Sequence, residues 1–132
     1  MIGIDTNVLL RLFTDDNPAQ TGSAVRLVDG CASGSIRITN IVLVELVWVL
    51  LGRKYNLEKP RLVEIIEELL RRAELVFENR GAVMTALRWF EAGKSDFSDY
   101  LIAALNEDAG ASPTYAFDQM AAGNAAFALM TP

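Results

Sequence analysis

A chain of 132 residues with 52% hydrophobic side chains suits one domain built on one sizeable core. Its balance is acidic, 17 Asp and Glu against 12 Lys and Arg for a formal charge of -5. Taken alone, this disfavours a nucleic-acid partner, because phosphate binding is driven by basic surface. Histidine is absent and Cys31 is the only cysteine. Imidazole bases, Ser–His pairs, thiolate metal sites and internal disulfides are therefore excluded. Catalysis would have to use carboxylates, hydroxyls, Lys, Arg, or a hard metal ion bound through oxygen. A mean hydropathy of +0.24 leaves apolar surface for a partner. No apolar run is long enough to span a bilayer, and no charged leader precedes one, so a cytosolic protein is expected.

Met1 to Ile4 is a short apolar run ending at Asp5, the first predicted strand. Residues 7–13 (NVLLRLF) follow as helix, with Val8, Leu9, Leu12 and Phe13 on one face. Asn17-Pro18 opens a second helix running to about Ala32, and Ser33-Gly34 ends it. Residues 35–39 (SIRIT) alternate as a strand. Asn40 is then positioned to cap a very apolar helix, NIVLVELVWVLL, that extends to about Lys54. Beyond Pro60, Leu62, Ile65, Ile66, Leu69 and Leu70 form a helical stripe. AELVF (73–77) reads as a third strand, and Val83, Ala86, Leu87 and Phe90 as another helical face ending near Gly93. Ser95 and Asp96 lead into FSDYLIAALNEDAG, a helix stopped by Gly110. Thr114 to Phe117 is a fourth strand ending at Asp118, with residues 127–130 as a fifth. Strands alternating with helices predict an α/β fold: one domain over residues 1–132, with a central, mainly parallel sheet of four or five strands between helical layers. Ligands in such folds bind beyond the carboxyl ends of the strands.

The chemistry is carried by acids at those ends. Asp5 and Asp118 each follow a strand directly, and each reads on its own as an ordinary cap for the next turn. Glu45 is harder to explain, because its neighbours at helical spacing, Ile41, Val42, Trp48 and Val49, are all apolar. A lone ionised carboxylate facing the core costs on the order of several kcal/mol unless a cation pairs with it. Asp96 and Asp99, at i and i+3, share a face at a helix start, where capping and metal binding are compatible. If these acids converge, their repulsion calls for a cation, and oxygen-only ligation suits Mg²⁺, with Mn²⁺ able to substitute.

IDTNVLLRLF at the start, the Glu within IVLVELVWVL, DFSDYLIAAL and the late strand YAFD together resemble the PIN-domain nucleases. The likeness is greatest to the VapC-type ribonuclease toxins of prokaryotic toxin–antitoxin pairs, and it spreads over the whole chain. The resemblance implies a three-layer α/β/α sandwich and a Mg²⁺-dependent endoribonuclease that hydrolyses RNA phosphodiesters with a water activated by the ion, leaving 5′-phosphate and 3′-hydroxyl ends. Asp5, Glu45 and Asp99 fall on the metal-binding acids, Asp118 on a fourth, and Asp96 on an extra acid found in part of the family. Asn7 would lie near the metal or scissile phosphate, with Arg11 as a further substrate contact. One departure stands before Asp118, where many relatives carry a hydroxyl residue two positions earlier and this chain has Ala116. The resemblance also implies a homodimer and a cognate antitoxin that packs on hydrophobic helices. Trp48, Leu50 and Leu51 are candidate contacts for it.

Setting aside Asp5, Glu45, Asp96, Asp99 and Asp118 leaves as many acids as bases, so a bound divalent ion would offset the local excess. Arg11, Arg53, Lys54, Arg80, Arg88 and Lys94 are available to guide RNA, although no basic run or aromatic platform marks a path. Two other readings remain open. A phosphatase of the haloacid-dehalogenase type needs a second Asp where this chain has Asn7, and a receiver domain needs an Asp where it has Glu78 and Asn79. A binding module without turnover would keep the same acids around a structural ion or a partner's arginine.

Overall fold

A computed structural model describes all 132 residues, and the chain divides into two compact units, Met1–Glu78 and Asn79–Pro132. The first unit holds β1 (Ile2–Gly3), α1 (Thr6–Arg11), α2 (Pro18–Asp29), β2 (Ile36–Ile38), α3 (Asn40–Leu51), α4 (Lys59–Arg71) and β3 (Leu75–Phe77). The second holds α5 (Arg80–Ala92), α6 (Phe97–Asp108), β4 (Thr114–Ala116), a 3₁₀ turn (Gln119–Ala121) and β5 (Phe127–Leu129). All five expected strands are present and every pairing is parallel. Hydrogen bonding groups them as a three-stranded sheet, ordered β1-β2-β3, and a two-stranded sheet of β4 and β5. No helix is long and apolar enough to cross a membrane.

In the first unit, Ile36 and Ile38 point inward from β2 while Arg37 between them is exposed, and β3 repeats the pattern with Leu75, Val76 and Phe77. The α4 stripe is realised in full: Leu62, Ile65, Ile66, Leu69 and Leu70 are all buried. In the second unit Val83, Ala86, Leu87 and Phe90 of α5 are buried, as are Phe97, Tyr100 and Leu101 of α6. Phe90 and Phe97 meet edge-on, with ring centroids 6.0 Å apart, the orientation that the quadrupoles of two rings favour. Gly110, at φ 78°, follows the end of α6 in the left-handed region that a side chain disfavours.

The apolar helix ends at Leu51, short of the expected Lys54, and differs from expectation in two further respects. Its N-cap is Thr39, whose hydroxyl accepts from the Val42 N–H, and Asn40 is the first helical residue. The Asn40 side-chain amide instead donates to Glu78 at 3.2 Å, so it is engaged at the end of β3 rather than over its own helix. Second, Val42, Leu43, Leu46, Val47 and Leu50 face inward, whereas Glu45 lies on the exposed side with Ile41, Trp48 and Val49. Glu45 therefore carries no burial penalty. The anomaly is apolar residues in water: Ile41 is 71% and Trp48 60% exposed. Leu50, expected at a partner surface, belongs to the core.

Candidate functional site

In the first unit Asp5 closes β1 and caps α1, its carboxylate accepting from the Val8 N–H at 3.1 Å. Asp5, Asn7, Arg11 and Gln20 line one shallow depression of about 280 Å³. The capping expected of Asp5 is thus real, and it leaves one carboxylate oxygen without that bond. Arg11 is more occupied than a substrate contact requires. Its Nε donates to Gln20 and one terminal nitrogen to Asp16, both at 2.8 Å, within a network that includes Thr14 and Tyr55. Lys54 also pairs with Asp16, at 2.8 Å. These two bases hold the turn after α1 in place, and only the second terminal nitrogen of Arg11 stands outside that network.

In the second unit the segment before α6 and the end of β4 meet. Ser95 is buried, and its hydroxyl lies 2.5 Å from Asp118 Oδ2 and 3.3 Å from Asp99 Oδ2. Its backbone N–H donates to the Tyr100 hydroxyl at 3.1 Å. Asp118 also accepts from the Met120 N–H at 2.9 Å, capping the 3₁₀ turn. The Ser95 hydrogen bond above all, then that of Met120, holds the Asp118 carboxyl below the usual carboxylate range against a smaller opposing effect of burial. Asp96 occupies the N-cap position of α6 but accepts no capping bond through its side chain, unlike the cap the sequence suggested.

The donor set is all oxygen. A hydroxyl has one proton, so Ser95 cannot donate to Asp99 and Asp118 at once, and one of the two carboxylates always lacks that donor. No ion pair in the chain uses Asp5, Glu45, Asp96, Asp99 or Asp118, a property they share with Asp15, Glu58, Glu91, Glu107 and Asp108, whereas Asp16, Asp29, Glu64, Glu67, Glu68, Glu74 and Glu78 all face a Lys or Arg. Unpaired carboxylates of this kind suit a hard divalent cation. Within either unit alone, no three acids gather as a ready-made metal cluster.

Sequence reasoning notes Ser95 only as leading, with Asp96, into α6 and gives it no role. Its position before Asp96 was the available signal, but a contact with Asp118 cannot be seen in local sequence.

The PIN-domain family model matches residues 2–121. The chain belongs to the PIN-domain family. PIN domains are generally nucleases, and the α/β architecture with parallel strands agrees with that membership. Among solved structures, the chain is similar to VapC20 of Mycobacterium tuberculosis, a sarcin-ricin loop cleaving toxin, at 18% identity and a TM-score of 0.44 over 92% of each chain. No curated protein matches this PIN domain.

Proposed function

We propose that this PIN domain is a divalent-metal-dependent endoribonuclease, the toxin of a VapC-type toxin–antitoxin pair, acting as one nuclease domain over its whole length. The observation that carries the reading is the Asp99–Ser95–Asp118 constellation, two carboxylates sharing a buried hydroxyl without a basic partner. Family membership over residues 2–121 supports extending the acid set to Asp5, Glu45 and Asp96.

In this reading the carboxylates of Asp5, Glu45, Asp96, Asp99 and Asp118 hold Mg²⁺, with Mn²⁺ able to replace it. The bound ion supplies acidification of a water and neutralisation of charge at the phosphodiester. Asp118, fixed at both oxygens by Ser95 and Met120, orients its neighbours and stays ionised in acid conditions where free carboxylates take up a proton. Asp99 has no backbone donor of its own and is the freer ligand of the pair. Asn7 and the uncommitted terminal nitrogen of Arg11 contact the substrate beside Asp5, in the depression they share. The exposed Ile41, Trp48 and Val49 on α3 offer apolar surface to an antitoxin or a second copy in a homodimer.

The test is cleavage of RNA by nuclease-free protein with and without a chelator. Parent protein cleaves only with Mg²⁺ or Mn²⁺, leaving 5′-phosphate ends, and Asp99→Asn is inactive but folded. Cleavage that survives the chelator would end the metal reading, and stable metal binding without turnover would identify a binding module.

A further inference from the structure

The second unit contains a groove that none of the proposed acids lines. It measures about 630 Å³ and runs between the end of α5, one side of α6 and the segment after β4. That is within the roughly 300–1,000 Å³ of small-molecule sites. Trp89 and Tyr100 contribute its aromatic wall, with ring centroids 6.4 Å apart. Lys94, Gln119 and Asn124 supply its polar groups, and Glu107 is its only acid. Lys94 joins no ion pair and the Gln119 amide no hydrogen bond. Asn124 uses its carbonyl oxygen to accept from the Ala126 N–H at 2.9 Å, which leaves its amide protons for a ligand.

We propose that this groove is a nucleotide-binding subsite, taking one unpaired base of single-stranded RNA next to the phosphate to be cut. The inference rests on the nuclease reading for its biological meaning, but its chemistry stands on the groove. A half-buried indole gives a face on which any base can stack, and free amide groups match base edges. Lys94 supplies the charge for a phosphate. The direction follows from the chain: Lys94 immediately precedes Ser95 and Gln119 immediately follows Asp118, so the groove adjoins the carboxylate pair through both walls. Glu107 lies seven residues beyond Tyr100 on α6, about 10 Å along the helix, and its charge disfavours a phosphate at that end. A base therefore enters with its phosphate toward Lys94 and the acids.

The chain has two tryptophans, and Trp48 is 60% exposed in the other unit, so Trp48→Phe leaves Trp89 as the sole indole reporter. This protein is titrated, in chelator, with each of the four single-stranded homotetraribonucleotides while indole fluorescence is followed. At least one tetramer quenches Trp89, and Lys94→Ala or Gln119→Ala each weakens that binding about tenfold, the loss typical of one stacking or charge contact. Absence of quenching with all four, or quenching unaltered by both substitutions, overturns the subsite. Cleavage in Mg²⁺ by the same preparations separates the two readings. Cleavage without Trp89 quenching overturns the groove alone, and quenching without cleavage leaves the groove standing while the nuclease reading falls.

Discussion

The Ser95 hydroxyl donates to Asp118 Oδ2 at 2.5 Å, tying the segment before α6 to the end of β4 across 23 positions of sequence. The same oxygen lies 3.3 Å from Asp99, so one proton mediates between two like charges. Without it, the carboxylates repel each other and lose their mutual orientation. Ser95→Ala is expected to weaken Mn²⁺ binding roughly tenfold or more, the usual cost of losing a residue that orients a metal ligand. Titration calorimetry of the variant checks this, and Ser95→Thr, which keeps the hydroxyl, recovers part of the affinity.

Glu45 separates stability from function most cleanly. It is exposed on α3 and enters no ion pair. Glu45→Gln is therefore expected to change stability by no more than about 0.5 kcal/mol while removing metal-dependent cleavage. Urea unfolding and an RNA cleavage assay on one preparation measure both. A variant that cleaves like the parent would return Glu45 to the solvated surface.

Gly93 is needed for lack of a side chain. A Cβ there would overlap the Tyr100 hydroxyl and come within 2.9 Å of the Trp89 carbonyl oxygen. Neither has room to retreat, because Tyr100 is buried and its hydroxyl accepts from the Ser95 N–H. Gly93→Ala is predicted to cost about 1–3 kcal/mol, the range for overpacking a close contact. Its urea midpoint should fall accordingly, and metal affinity with it, since Ser95 is displaced.

Acid conditions test the structural network around Arg11. The hydrogen bond from Lys54 foremost, aided by Tyr55, holds the Asp16 carboxyl at about 2 instead of 3.8. A depressed folded value means that the contribution of Asp16 to stability is complete above pH 3.8 and is lost as pH falls toward 2. Asp16→Asn should therefore be less stable than the parent at neutral pH by a constant margin that closes over that acid window. Thermal unfolding at a series of pH values reads the difference.

Much of the fold was legible because burial has a period. The α4 stripe and the alternation in residues 35–39 give helix and strand with the correct faces, and residues 73–77 are read as a strand without a face. The α3 helix defeated the same reasoning, since twelve nearly uniform apolar residues carry no period from which to assign a face. Its single carboxylate marked the exposed side, not a charge in the core. The cap differs by one residue because Thr39 and Asn40 are both competent caps, and the Asn40 side chain is engaged by Glu78, 38 positions away. The site divides the same way. Asp5 and Asp118 were visible from their places after strands, whereas Ser95 acquires its role only through a tertiary contact.

The account depends most on the five acids acting together on hard divalent metal. Calorimetric titration with Mn²⁺ of the parent and of Asp5→Asn, Glu45→Gln, Asp99→Asn and Asp118→Asn tests that directly, with folding verified for each by circular dichroism. The prediction is saturable binding by the parent and a loss of tenfold or more in each variant, on the scale of removing a ligand or its orienting partner. Parent-like affinity in Asp5→Asn or Glu45→Gln would contradict it, leaving Asp99 and Asp118 as a local pair with no share in a common metal site.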